Sequence, residues 1–197
     1  MLTTLRRWLS RDTVPRARPG DDTSSPAKAP GRGLVAARAE ELEAFLEAAR
    51  RADARGHAPW VLRDEAQLAT LRRALEFTLH RGRWLQREGE NITHWQGRLL
   101  AFRHGEGPPL GMLLAVRPDE EAAWQLRFFF IDPQWHGSGH GARLLLAARR
   151  ELAGTPLHCR LPLACGAAVA SLERAGFRRM QVDATEVASF EAPAEWH

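Results

Sequence analysis

Apolar residues recur with two different periods along this chain. Val35, Ala39, Leu42, Phe45, Leu46 and Ala49 share one face at helical spacing, which predicts a helix from about Leu34 to Ala54, ended by Gly56. Leu68, Leu71, Leu75 and Leu79 repeat that period, and Asp64 with Gln67 three residues on gives the helix a capping-box-like start. Trp60–Arg63 between them reads as a short strand, and residues 80–93 fit either helix or loop. From Trp95 the pattern changes. Trp95–Arg103 and Leu110–Val116, either side of a His104–Gly107 turn, predict a hairpin, and Pro118–Glu121 a further turn. Trp124–Ile131 reads as a strand whose continuous apolar run Phe128–Ile131 fits burial on both faces. A glycine-rich loop follows, then a helix from about Gly139 to Leu152 and a strand at Leu157–Leu163. A short helix at Ala167–Ala175, closed by Gly176, leads to strands at Phe177–Val182 and Glu186–Phe190.

The first 33 residues are of another kind. Residues 12–33 are rich in Pro, Ser, Thr, Asp and Gly and nearly lack large apolar side chains, as a solvated, disordered linker does. Before them, Leu2, Leu5, Trp8 and Leu9 share a helical face beside Arg6, Arg7 and Arg11. That segment suits either docking of residues 1–11 on an anionic surface or partner, or a frayed tail. The domain organisation is therefore a basic tail over 1–33, a helix over 34–57, and the remaining domain over 58–197.

Composition narrows the function. A chain of 197 residues that is 44% hydrophobic can fill one sizeable core. The tail carries seven basic and three acidic residues, which is the whole formal net charge of +4, so the rest of the chain is balanced and gives no sign of a nucleic-acid partner. The longest run without Asp, Glu, Lys or Arg is Leu161–Leu172, short of the ~20 residues a bilayer span needs. No secretory leader is visible. Two cysteines, Cys159 and Cys165, make neither a disulfide framework nor a Cys-only zinc site, and fit a reducing cytoplasm. No metal is expected.

The informative stretch is Pro133-Gln134-Trp135-His136-Gly137-Ser138-Gly139-His140-Gly141, between a strand and a helix. Glycines at 137, 139 and 141 free the backbone from Cβ obstruction, and successive N–H groups at a helix N-terminus make an anion site suited to phosphate or pyrophosphate. An ordinary tight strand–helix turn is the plain alternative. A P-loop is a weaker match because Ala142 and Arg143 follow Gly141, and so is a dinucleotide fingerprint, whose glycine interval differs.

This stretch resembles the acyl-CoA-binding motif of the GNAT-superfamily N-acetyltransferases. Cys165-Gly166-Ala167-Ala168-Val169-Ala170-Ser171-Leu172-Glu173-Arg174-Ala175-Gly176-Phe177 resembles that family's second motif. The resemblance implies an α/β fold with a mixed, splayed central sheet of about six to seven strands flanked by helices, open between the strands at 124–131 and 157–163. It implies direct transfer of an acetyl group from acetyl-CoA to an amine, on a small molecule or a peptide. The donor's pyrophosphate would lie on the N–H groups of His136, Gly137, Ser138, Gly139, His140, Gly141 and Ala142, and its pantetheine would pair with the backbone near Phe130 and Ile131.

The departures from the family pattern bear on catalysis. The usual Arg or Gln opening the loop is His136, the second-motif Asn is Cys165, and the Tyr that protonates the departing thiolate in many members is Leu172, in a chain with no tyrosine. A strand position often used as general base falls near Arg127, which at neutral pH can only donate. Arg127 fits either an acidic acceptor group or an ordinary ion pair with a carboxylate. His158 is a substitute proton carrier on the strand at 157–163. Asp132 reads as shaping its turn, Cys165 as a small buried hydrophobe, and Trp95, Trp124 and Trp135 as core or as the wall of an acceptor pocket. No residue is assigned as catalytic on this pattern alone. A non-catalytic acyl-CoA-binding or interaction module is the alternative that these losses favour.

Overall fold

The computed structural model describes residues 32–89 and 91–196; the basic tail and its amphipathic segment, residues 1–31, lie outside the described residues. Four helices, α1 (Leu42–Asp53), α2 (Glu65–Arg81), α3 (His140–Glu151) and α4 (Gly166–Arg174), pack on one eight-stranded sheet. Its strands are β1 (Arg32–Ala36), β2 (Arg83–Glu88), β3 (Asn91–His104), β4 (Gly111–Arg117), β5 (Trp124–Ile131), β6 (Leu157–Pro162), β7 (Arg178–Val182) and β8 (Val187–Ala192). They run in the order β1-β3-β4-β5-β6-β8-β7, with β2 also paired to β3. The β5–β6 pair is parallel and the other pairs are antiparallel.

The mixed, open sheet expected from the resemblance is present, with eight strands instead of six to seven. One addition corrects the helix expected over 34–54. Residues 32–36 pair with β3, Leu34 buried opposite Phe102 and Val35 exposed, and the helix begins only at Leu42. Val35 and Ala39 mimic a helical stripe, but hydrogen bonding to an open sheet edge outweighs that spacing. Arg32 and Gly33, placed in the tail by composition, belong to this strand. The other addition is β2, out of the ambiguous stretch: Gly82 stops α2 in the left-handed region (φ 63°) and the chain turns back into a strand. Trp60–Arg63 is not a strand. It is held as a loop by the Leu62 N–H donating to Asp53 Oδ2 (2.9 Å) and by Trp60 packing on Phe128 (5.5 Å between rings). The start of α2 is as read: Asp64 Oδ1 accepts from the Gln67 N–H (2.8 Å), and Gln67 Oε1 accepts from the Arg63 N–H (2.8 Å).

Each face of the sheet has its own core. On one, Phe45, Leu46 and Ala49 of α1 and Leu71 and Leu75 of α2 meet Leu99, Met112 and Leu114. On the other, Leu144, Leu145 and Ala148 of α3 and Leu172 of α4 meet Phe102, Leu113 and Phe190. The strand at the junction changes phase between them. Leu114 pairs with Phe128 and Ala115 with Leu126, so Arg127 is the extra residue of a β-bulge. Before it, Trp124 and Leu126 face α3; after it, Phe128 faces α1. The parallel pairing with β6 runs only from Trp124 to Leu126, against Leu157 to Cys159, and stops at the same bulge. The two strands part there. Among the described residues no helix is long and apolar enough to cross a membrane.

Candidate active site

The parting strands open a cleft of about 1430 Å³ whose walls come from β5, β6, the glycine loop, the start of α4 and the end of α1. The loop is built locally. Asp132 Oδ1 accepts from the Gln134 N–H (3.1 Å), fixing the turn that Pro133 begins. His136 turns its ring back, and its Nε2–H donates to the Ile131 carbonyl (2.7 Å), since a carbonyl can only accept. Gly137 (φ 78°) and Gly139 (φ 72°) both lie in the left-handed region with open space where a Cβ would sit, so backbone conformation is the reason for glycine there. Helix α3 starts at once, and its first intrahelical bond, from the Arg143 N–H to the Gly139 carbonyl (3.3 Å), closes the opening turn. The N–H groups of the turn before it therefore lie at the positive end of the helix.

The residues expected on this loop do different things. Gly137, Ser138 and Gly139 are exposed on the loop, and Ala142 brings an N–H from the first turn of α3. Gly141 serves helix packing: a Cβ there would lie 2.5 Å from Ser171 Oγ of α4. The His140 ring is buried edge-on to Trp135 (6.1 Å) and near Phe102 (6.5 Å), which leaves its backbone at the loop. Register separates Phe130 from Ile131. The Asp132 N–H donates to the Leu110 carbonyl (2.9 Å), and antiparallel pairs alternate, so Phe130 turns its N–H and C=O to β4. The backbone groups facing the cleft are those of Phe129, which the sequence reading passed over, and Ile131.

Leu172 is fully buried in the α3-side core and does not line the cleft. Cys165, half-buried, stands before α4 at the cleft wall; burial raises its thiol pKa, while the Arg55 guanidinium pulls the other way. Cys159 is buried, and its thiol is pushed up to about 12 by burial and then by Cys165. His158 and Arg160 alternate with the buried Leu157, Cys159 and Leu161, so they lie on the opposite face of β6 from α3. His158 Nε2 is 3.7 Å from Glu191, and Arg160 pairs with Asp183 (2.8 Å). Of the two readings of Arg127, the ion pair with a carboxylate is absent among the described side chains: its guanidinium donates to Gln86 Oε1 and lies over the Trp95 ring (5.9 Å). Burial holds the pKa of Arg127 below the ordinary guanidinium value. Gln86 lies within residues 80–93, whose pattern fits either helix or loop and so does not place it. Trp124 is core, Trp95 half-buried against the α1-side core, and Trp135 lines the cleft.

The sequence profile of the acetyltransferase (GNAT) family matches residues 61–177, from the loop before α2 through both motifs. The chain belongs to this family. No curated protein sequence matches it significantly. Among solved structures, the Vibrio cholerae spermidine N-acetyltransferase with CoA and spermine is similar at a TM-score of 0.60 and 11% identity, covering 82% of this chain and 94% of that one. AAC(6')-Ib with ribostamycin and coenzyme A is similar at 0.58 and 14%, over 82% and 92%. RimL, a ribosomal-protein α-N-acetyltransferase with coenzyme A, is similar at 0.55 and 15%, over 82% and 93%. At these identities the likeness is one of fold. This acetyltransferase is built on a splayed mixed sheet, with Leu172 at the position where the motif resemblance puts a tyrosine.

Proposed function

We propose that this acetyltransferase moves the acetyl group of acetyl-CoA directly to the nitrogen of an amine. The observation that carries the reading is the coincidence of three features at one place. Two left-handed glycines open α3, the β5–β6 pairing ends after three residues, and the backbone of Phe129 and Ile131 faces the resulting cleft. The N–H groups of residues 137–142 suit the donor's pyrophosphate. Phe129 and Ile131 suit its pantetheine amides, which would lie along β5 like an added strand once the His136 ring leaves the Ile131 carbonyl.

In the transfer, the amine lone pair forms the C–N bond to the thioester carbonyl carbon, the C–S bond breaks, and CoA leaves as thiolate. One amine proton is lost and one is taken up by the thiolate. His158, exposed on the cleft, is our candidate to accept the first. Leu172 has no proton to give, and the Ser171 hydroxyl already donates to the Ala167 carbonyl (2.8 Å), so the thiolate is protonated from solvent. A missing general acid costs ~10²–10⁴-fold, which a fair leaving group such as a thiolate tolerates. Positioning and polarisation of the carbonyl supply the remaining acceleration. We place the protein in the cytoplasm, where its donor is made and its two thiols stay reduced.

Calorimetry with acetyl-CoA, followed by thiol release against a panel of amines, tests this reading. Gly139→Asp keeps a residue tolerant of the left-handed region but sets a carboxylate against the pyrophosphate, which costs several kcal/mol. Acetyl-CoA affinity should be lost while circular dichroism is unchanged; unchanged affinity would refute the loop assignment. A second reading is favoured by Leu172 and Cys165, which replace the two polar residues of the second motif. In that reading the domain binds acyl-CoA without turnover. Binding with no thiol release from any amine would establish it.

A further inference from the structure

On the acceptor side of the cleft we infer a carboxylate-binding site centred on Arg127, so that the acetylated amine belongs to a molecule that also carries a carboxylate, such as an α-amino acid. The inference rests on the transferase reading above.

The glycine loop and α3 lie on one face of the sheet. Arg127 reaches the other face, because the bulge puts it in phase with Phe128 and its guanidinium lies over Trp95 and against Gln86 of β2. A donor held at α3 and an acceptor held at Arg127 would therefore meet from opposite faces at the point where β5 and β6 part. Arg127 is among the residues lining the cleft, and the polar partner of its guanidinium is a neutral amide, that of Gln86. No carboxylate among the described side chains pairs with it. A partly desolvated guanidinium keeps its charge at neutral pH, and its planar fork matches a carboxylate by two parallel N–H···O bonds.

The rest of the wall agrees in sign. Among the described residues, five arginines line the cleft (Arg51, Arg55, Arg127, Arg160 and Arg174) against two carboxylates, Asp183 and Glu191. Asp183 is already held by Arg160 (2.8 Å), and Glu191 stands beside His158 (3.7 Å). A polycationic acceptor such as a polyamine meets like charge in this wall. An amine tethered to a carboxylate is drawn to it, and bidentate binding at Arg127 would orient the amine beside the splay.

The test uses the full-length protein at saturating acetyl-CoA, with L-alanine, L-phenylalanine and the amides of both as acceptors, rates being expressed per deprotonated amine. We expect kcat/KM at least tenfold higher for each acid than for its amide, carried by KM. In Arg127→Gln that ratio should fall to near one, and in Arg127→Lys part of it should remain. Equal rates for acid and amide in the wild-type protein overturn the proposal while leaving the transferase reading in place, and this comparison needs no variant to fold. A preference for acids that survives in Arg127→Gln also overturns it, as does a variant whose only change is in KM for acetyl-CoA. Should no amine release thiol, the transferase reading fails and binding decides: N-acetyl-L-phenylalanine and its amide are titrated calorimetrically into the CoA-bound protein. Tighter binding of the acid supports the site, and equal binding refutes it.

Discussion

Leu172 occupies the place where the family's acid is expected, yet its surroundings make it a packing residue. It is fully buried between α4 and the α3-side core. Leu172→Tyr should therefore destabilise the protein by about 1–3 kcal/mol through overpacking, read as a lower urea midpoint at unchanged m-value. A gain in kcat without loss of stability would show instead that the ring reaches the cleft. Glu41 and Arg103 form a second buried feature, an ion pair with both side chains under a tenth exposed. The same Glu41 carboxylate accepts from the Arg38 N–H (2.8 Å), and Arg103 donates to the Gly107 carbonyl (3.2 Å). Glu41→Ala strands a buried guanidinium and should cost about 3–5 kcal/mol in equilibrium unfolding. Cys159 gives a pH dependence with a definite sign. Burial holds its folded pKa at about 12, above the ordinary thiol value, so its stabilising effect is complete below that ordinary value and is lost as pH rises towards 12. Alkaline unfolding titrations should show this fall in the wild-type protein and a smaller one in Cys159→Ala. Residue identities alone show none of these three, because neither a leucine, a glutamate nor a cysteine reveals its burial.

At the scale of elements, α3 and α4 touch where Gly141 faces Ser171, and the absence of a Cβ sets their separation. Gly141→Ala should lower stability by about 1–3 kcal/mol, and Ser171→Gly should restore much of the loss in a double-mutant cycle. Most elements were legible because their period was clear. The β3–β4 hairpin, β5, α3 and α4 fall within a few residues of where the pattern puts them. The misses have physical causes. β1 was hidden because Leu34 and Val35 run into the stripe of α1, and β2 because its neighbours blur both periods. Trp60 reads as a strand aromatic but is an anchor under a loop. The bulge at Arg127 was invisible for a different reason: a continuous apolar run such as Phe128–Ile131 carries no alternation and so hides a change of phase. The side to which Arg127 points, and hence the proposed acceptor site, could not be read from spacing. The glycine loop could, since alternating glycines between a strand and a helix state a backbone need directly, although the separate duties of Gly141 and Phe129 needed the packing and the register.

At the scale of the whole molecule, every described strand of the sheet lies within residues 32–192. A chain beginning at Arg32 should therefore melt at the temperature of the full chain, whereas one beginning at Arg38 lacks β1, uncovers the edge of β3 and should melt lower in scanning calorimetry. The α1-side core draws all its members from residues 37–130, but the strands after α3 bury their side chains only in the α3-side core. Three residues of parallel ladder join those later strands to the rest of the sheet. We expect the short ladder to let the two sides of the sheet open separately, with the proposed donor cleft as their seam. Backbone amides of β6 and β8 should then exchange with deuterium sooner than those of β3 and β4 in the free protein. A molecule lying along the seam ties the two openings together. At a free concentration of 100 times its Kd, acetyl-CoA adds about 2.7 kcal/mol to any opening that releases it, so exchange in β6 and β8 should slow about a hundredfold. If the gap in the sheet admits acetyl-CoA as proposed, the same gap makes that donor a clasp between the sheet's halves.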